Sequence, residues 1–185
     1  MLNATFRISL PNVPYLVMPG YWSSEKVRKA RIEIRMMMKQ CVERGEGGDR
    51  RILGASRIAQ RNPGKFATLL EFSRDRALHT MAARHLNMQT RDVTADTLVG
   101  MTIPGSASGG GWHKDTNTRG VKALMYLSNV TIRNGPFAML IGYNDSLVNP
   151  EPGRLGRRYH TKEIERSVTI GAQIKPFYAN AGTVI

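Results

Sequence analysis

Val121-Lys122-Ala123-Leu124-Met125-Tyr126-Leu127, then Asn134-Gly135-Pro136, then Phe137-Ala138-Met139-Leu140-Ile141, reads as a strand, a turn and a second strand. β-branched, aromatic and other apolar residues run through both outer pieces, and Asn-Gly-Pro is turn chemistry. On the first strand Lys122, Leu124 and Tyr126 share one face, and Ala123, Met125 and Leu127 share the other. The first face is mixed and suits a polar-lined interior. The second is apolar and suits packing against helices.

Working outward, Thr97 to Ile103 is strand-like and Gly105 to Gly111 is a loop of small residues. Asn149 to Gly156 is a Pro/Gly loop. Ser167 to Ile174 and Gly182 to Ile185 read as further strands. Upstream the pattern is helical. Val13 to Met18 is a short β-like run ended by Pro19-Gly20, after which Ser23 and Ser24 offer helix caps and Glu25 suits the first turn. Val27, Ala30, Ile34, Met37 and Cys41 recur at spacings of three and four, which predicts an amphipathic helix from Ser24 to Arg44. The run Met36-Met37-Met38 reads as core filling. Gly45 to Asp49 breaks that helix, Arg51 to Gln60 is expected to form a short one, and Asn62-Pro63-Gly64 is a turn. Lys65 to Leu86 is predicted helical throughout, with His79 and His85 as ordinary helix residues. The layout is one α+β domain over residues 1–185, mostly helical to about residue 91 and from about residue 92 an antiparallel sandwich or barrel.

Composition narrows the class. A chain of 185 residues can bury a core without staples. One cysteine, Cys41, rules out an intrachain disulfide and fits a reducing compartment. Its place in the helical pattern reads as a buried structural thiol. Neither a signal-peptide core nor a run of ~18 apolar residues is present, so the expectation is cytoplasmic with no membrane span. The net charge, 27 − 14 = +13, can mark a nucleic-acid binder or a site for an anionic substrate. Much of that charge lies between Lys26 and Arg51 with acidic residues interleaved, and Arg154, Arg157 and Arg158 form a second cluster. A solvated basic face is the plainer reading, and nucleic acid is not the favoured partner.

Just before the opening strand stands Gly111-Trp112-His113-Lys114-Asp115. On an extended segment His113 and Asp115 point to the same side. An imidazole and a carboxylate can then share one metal ion. A second histidine would complete a facial triad of two histidines and one carboxylate, the set that leaves positions open for co-substrate and O2 on non-haem Fe(II). The tripeptide alone is weak; the Gly-rich loop, Trp112 and the strand after it add weight.

Those residues resemble the phytanoyl-CoA dioxygenase-like branch of the Fe(II)- and 2-oxoglutarate-dependent oxygenases. That family shows W-H-x-D, then a strand like Lys122-Ala123-Leu124-Met125-Tyr126-Leu127, then an N-G-P-F turn like Asn134-Gly135-Pro136-Phe137. Tyr15 to Ser23 is similar to its opening strand and helix start. The resemblance spans nearly the whole chain and is specific from His113 to Phe137. It implies N-terminal helices packed on an antiparallel double-stranded β-helix, a jelly-roll or cupin-like barrel. It also implies Fe(II) held by His113 and Asp115, with 2-oxoglutarate and O2 as co-substrates and hydroxylation of an aliphatic C–H of a small molecule; the basic clusters suit an anionic one. Trp112 would pack beside the metal, and Lys122 or Tyr126 would reach the co-substrate carboxylates.

Two departures stand out. The family usually has G-S-H where this chain has Gly142-Tyr143-Asn144. The distal histidine, and the arginine that holds the 2-oxoglutarate carboxylate, follow a strand like Ala181-Gly182-Thr183-Val184-Ile185, where this sequence stops. The expectation is a C-terminally incomplete member whose third ligand is absent. His160, in a polar basic stretch, is a substitute ligand only at a stretch and reads as a surface histidine. The alternatives are a catalytically inactive barrel-like binding module, and a basic nucleic-acid-binding protein in which His113 and Asp115 are incidental.

Overall fold

The amphipathic pattern after Ser23 produces the longest element, helix α1, Ser24–Glu43. Ser23 caps it, its hydroxyl accepting the amide of Lys26 at 3.3 Å. Val27, Ala30 and Met37 are buried, and Ile34 and Met36 pack beside them, so the methionine run does fill core. The structure, a computed structural model, describes residues 15–43, 52–54, 62–95, 98–100, 112, 120–142 and 161–185.

Strand β1, Ile52–Gly54, pairs antiparallel with β2, Leu98–Gly100, in the register Ile52 to Gly100. This corrects the helix expected from Arg51, at least for these three residues. Ile-Leu gave no periodicity by which to separate strand from helix, and the partner strand decided it.

The single helix expected from Lys65 to Leu86 is two. Helix α2 is Ala67–Ser73 and α3 is Arg76–Leu86. Asp75 divides them. Its backbone is extended, and its carboxylate accepts the amides of Ala77 and Leu78 at 2.9 and 3.2 Å. An aspartate that can bond its own backbone competes with helix continuation and favours a cap. Asn87 ends α3 in the left-handed region at φ 53°. The amides of Met88 and Asn87 return to the carbonyls of Ala83 and Arg84, which is a Schellman stop.

In the second half a short two-stranded sheet continues as an interrupted antiparallel ribbon of isolated bridges, and the strand expected over Val121 to Leu127 is reduced to one bridge, at Met125. Strand β3, Ala138–Ile141, pairs with β4, Gln173–Pro176, with Ala138 opposite Pro176. Farther along, Val130 and Ala179 exchange both backbone hydrogen bonds, and so do Leu124 and Ile185. The segment at Val184 sits between two partners, bridging Met125 on one side and Met18 on the other. The strand expected over Phe137 to Ile141 is therefore present. Of the strand expected at Gly182 to Ile185, Gly182 lies in a turn at φ 90° and Val184 alone bridges, to a neighbour on each side.

The strand expected from Ser167 to Ile174 is corrected. Helix α4, Thr161–Thr169, occupies its first part, and β4 starts only at Gln173. The amides of Gly171 and Ala172 bond the carbonyls of Val168 and Ser167, with Gly171 at φ 106°. Gly171 is thus the glycine stop of a helix, at a place where the local apolar pattern suits a strand equally well. Ile164 and Ser167, three apart, are the buried face.

The main core lies where α1 meets α2 and the ribbon. Trp22, Val27, Ala30, Met37, Phe66, Leu69 and Leu70 form it, with Met125, Leu127 and Ala181 packed on it. Met125 and Leu127 are two of the residues expected to face helices; Ala123, the third, is exposed. The observed fold is thus a mixture of helices and small antiparallel sheets.

Candidate metal centre

The residues that would hold iron, His113 and Asp115, lie outside the described residues, as do His160 and the Gly105 to Gly111 loop. The side chain of Cys41 does too. Their neighbour Trp112 is half-buried. Among the described residues no three His, Cys, Asp or Glu side chains gather as a metal site. His79 is a helix residue, as expected, with Nε2 2.8 Å from the carbonyl of Ser73. His85 is exposed near the end of α3.

The two residues expected to reach co-substrate carboxylates differ in setting. Lys122 is exposed and Tyr126 is buried. The Tyr126 hydroxyl donates to the carbonyl of Phe177 at 3.0 Å and accepts the amide of Phe137 at 3.1 Å. Burial pushes its pKa up, partly opposed by the Phe137 amide, which favours the phenolate. A carboxylate would have to compete with Phe177 for the one phenolic proton.

This hydroxyl closes the base of an excursion larger than the plain turn expected at Asn134-Gly135-Pro136. Between Val130 and Phe137 the chain leaves the ribbon through a 3-10 turn, Ile132–Asn134. Thr131 caps it, and Gly135 takes φ 68°, which glycine adopts without strain. Asn134 donates to the carbonyl of Asn129 at 2.7 Å, and Asn129 accepts the amide of Ala181 at 2.9 Å. The Asn-Gly pair signalled the turn; nothing local signalled that Asn129 ties it to the opposite segment.

The same opposite segment meets α1. The Trp22 amide donates to the Gly182 carbonyl at 3.0 Å, and the Gly182 amide donates to Tyr126 at 2.7 Å. Gly182 has φ 90°, and a Cβ there would run into the carbonyl oxygen of Trp22. Residues 124–126, shortly after Asp115, are thereby fixed beside residues 182–185.

Compared with protein families, curated proteins and solved structures, the chain matches none.

Proposed function

We propose that this chain carries part of the iron site of an Fe(II)- and 2-oxoglutarate-dependent oxygenase acting on an aliphatic C–H of a small molecule. The observation that carries the reading is the pair His113 and Asp115, two apart after Trp112, at the head of the Val121 to Phe137 pattern. The donor set fits Fe(II), since imidazole and carboxylate are the facial-triad ligands. The antiparallel ribbon supports a double-stranded β-helix as the finer architecture. Its pairing of Leu124 with Ile185 sets the Ala181 to Ile185 segment, which resembles the strand that precedes the family's distal histidine, beside residues 124–126. Bound Fe(II) would supply O2 activation. His113 and Asp115 would hold the ion, Trp112 would pack beside it, and Lys122 would reach a 2-oxoglutarate carboxylate.

The test is Fe(II)-dependent release of succinate from 2-oxoglutarate by a protein that includes the third histidine. Wild type is expected to turn over and His113→Ala to lose turnover, because one ligand fewer leaves the ion poorly held. Equal turnover by the variant would sink the assignment. The 185-residue chain alone is expected to bind Fe(II) weakly, read by anaerobic titration.

A second reading has one observation in its favour. Arg28, Arg31 and Arg35 lie along the exposed side of α1; Lys29 and then Arg28 act on Glu25 and hold its pKa down, while Arg31 and Arg35 have no carboxylate partner among the described residues. Such a row suits phosphates. It serves equally as a solvated face, so the oxygenase reading is preferred.

A further inference from the structure

A cleft of about 540 Å3 lies against the corner between α2 and α3. That is within the ~300–1,000 Å3 typical of small-molecule sites. Pro63, Ala67 and Leu70 supply its apolar wall, and Glu71, Arg74, Asp75 and Arg76 its polar one. Ala67, Leu70, Glu71 and Arg74 follow at helical spacing, so one face of α2 lines it.

The charges in this cleft are not equivalent. Glu71 is ion-paired with Lys26. Asp75 caps α3 and also accepts the Tyr21 hydroxyl. Both carboxylates are therefore committed. Arg74 and Arg76 are exposed and have no carboxylate partner among the described residues. The uncommitted charge is two guanidinium groups flanking one helix cap. The backbone that carries them is held firmly, by Arg74 N–H to the Leu70 carbonyl at 3.1 Å and by the His79 ring at Ser73. A guanidinium fork matches carboxylate and phosphate oxygens in pairs.

We propose that the cleft binds a small amphiphilic anion, with a carboxylate or phosphate head on Arg74 and Arg76 and a short apolar tail on Pro63, Ala67 and Leu70. The site is independent of the iron assignment, and His113→Ala should leave it intact.

Isothermal titration of the chain with octanoate, octyl phosphate and octanol tests this. Saturable one-to-one binding of at least one anion is expected, with no saturable heat from octanol. The tighter of the two anions identifies the head group. Arg74→Gln and Arg76→Gln should each weaken binding roughly tenfold, as loss of a charge-assisted contact does, with the thermal midpoint unchanged. Ala67→Glu should weaken it as well, by adding a negative charge to the wall. Three results overturn the proposal: neither anion binds saturably, octanol binds as well as the anions, or the double arginine variant keeps wild-type affinity.

Discussion

Glu33 is a charged residue on the buried side of α1, and its carboxylate explains why it is tolerated there. Oε1 accepts the amide of Thr68 at 3.0 Å and Oε2 that of Leu69 at 2.9 Å. Those are first-turn amides of α2, whose own capping residue, Phe66, has no polar side chain and makes no cap bond. An acid borrowed from another helix therefore does the capping, and it also suits the positive end of the α2 dipole. Glu33→Ala should destabilise by about 1–3 kcal/mol, the penalty for buried amides left unpaired. Urea unfolding would measure it, and a change below experimental error would contradict the role. Tyr126 gives a second residue-scale prediction. Its raised pKa means that the folded state resists losing the phenolic proton more than the unfolded chain does. Below the unfolded value of about 10 its contribution is fully present, and it is lost as pH rises through the folded value. Tyr21 acts in the same direction, through burial first and then its bond to Asp75. Stability should fall above about pH 10, and Tyr126→Phe should flatten part of that fall while lowering stability at neutral pH.

At the scale of elements, the informative sites are junctions. Asp75 splits one expected helix into α2 and α3, so its removal tests whether the break is built by the cap. Asp75→Ala should lose about 0.5–2 kcal/mol, the usual range for a lost N-cap. A variant as stable as wild type would mean that the break is imposed by packing instead. Gly182 is the tighter junction. Its positive φ and its approach to the Trp22 carbonyl allow no side chain. Gly182→Ala must shift the Val184 segment away from α1, and with it the bonds to Tyr126 and Met18. The expected result is a large loss of thermal stability, of several kcal/mol in a marginally stable domain. Only a near-native melting temperature would show that the segment can move freely. The pattern Ser24 to Glu43 was legible because period and cap agreed. The pattern at Ser167 was not, because a short apolar run suits strand or helix until Gly171 is recognised as a stop.

For the whole molecule, the question raised by a net charge of +13 is whether it is a recognition device. No helix among the described residues is long and apolar enough to cross a membrane. The apolar side of α1 is spent on the core, which leaves Arg28, Arg31 and Arg35 outward but no apolar face to insert. On the oxygenase reading, binding to duplex DNA should be weak and sequence-independent, with affinity falling steeply between about 50 and 200 mM salt. Tight binding that survives the higher salt would favour the nucleic-acid reading. The His-x-Asp pair stands out in the sequence because residues two apart would share one side of an extended chain.

Sequence alone determined the amphipathic helix α1, the strand at Phe137 to Ile141 and the Asn-Gly turn, and it proposed His113 and Asp115 as ligands. All of these are signals carried within a few neighbouring residues. Tertiary structure alone decided that Glu33 caps a helix some thirty-five positions away, that Tyr126 ties Phe137 to Phe177, and that Val184 lies between Met18 and Met125. Each joins groups far apart in the chain, and hydrogen-bond partners at such distances leave no periodicity to read. The same physics separates Arg74 and Arg76 from the carboxylates beside them. Only the folded chain shows that Glu71 and Asp75 are already engaged.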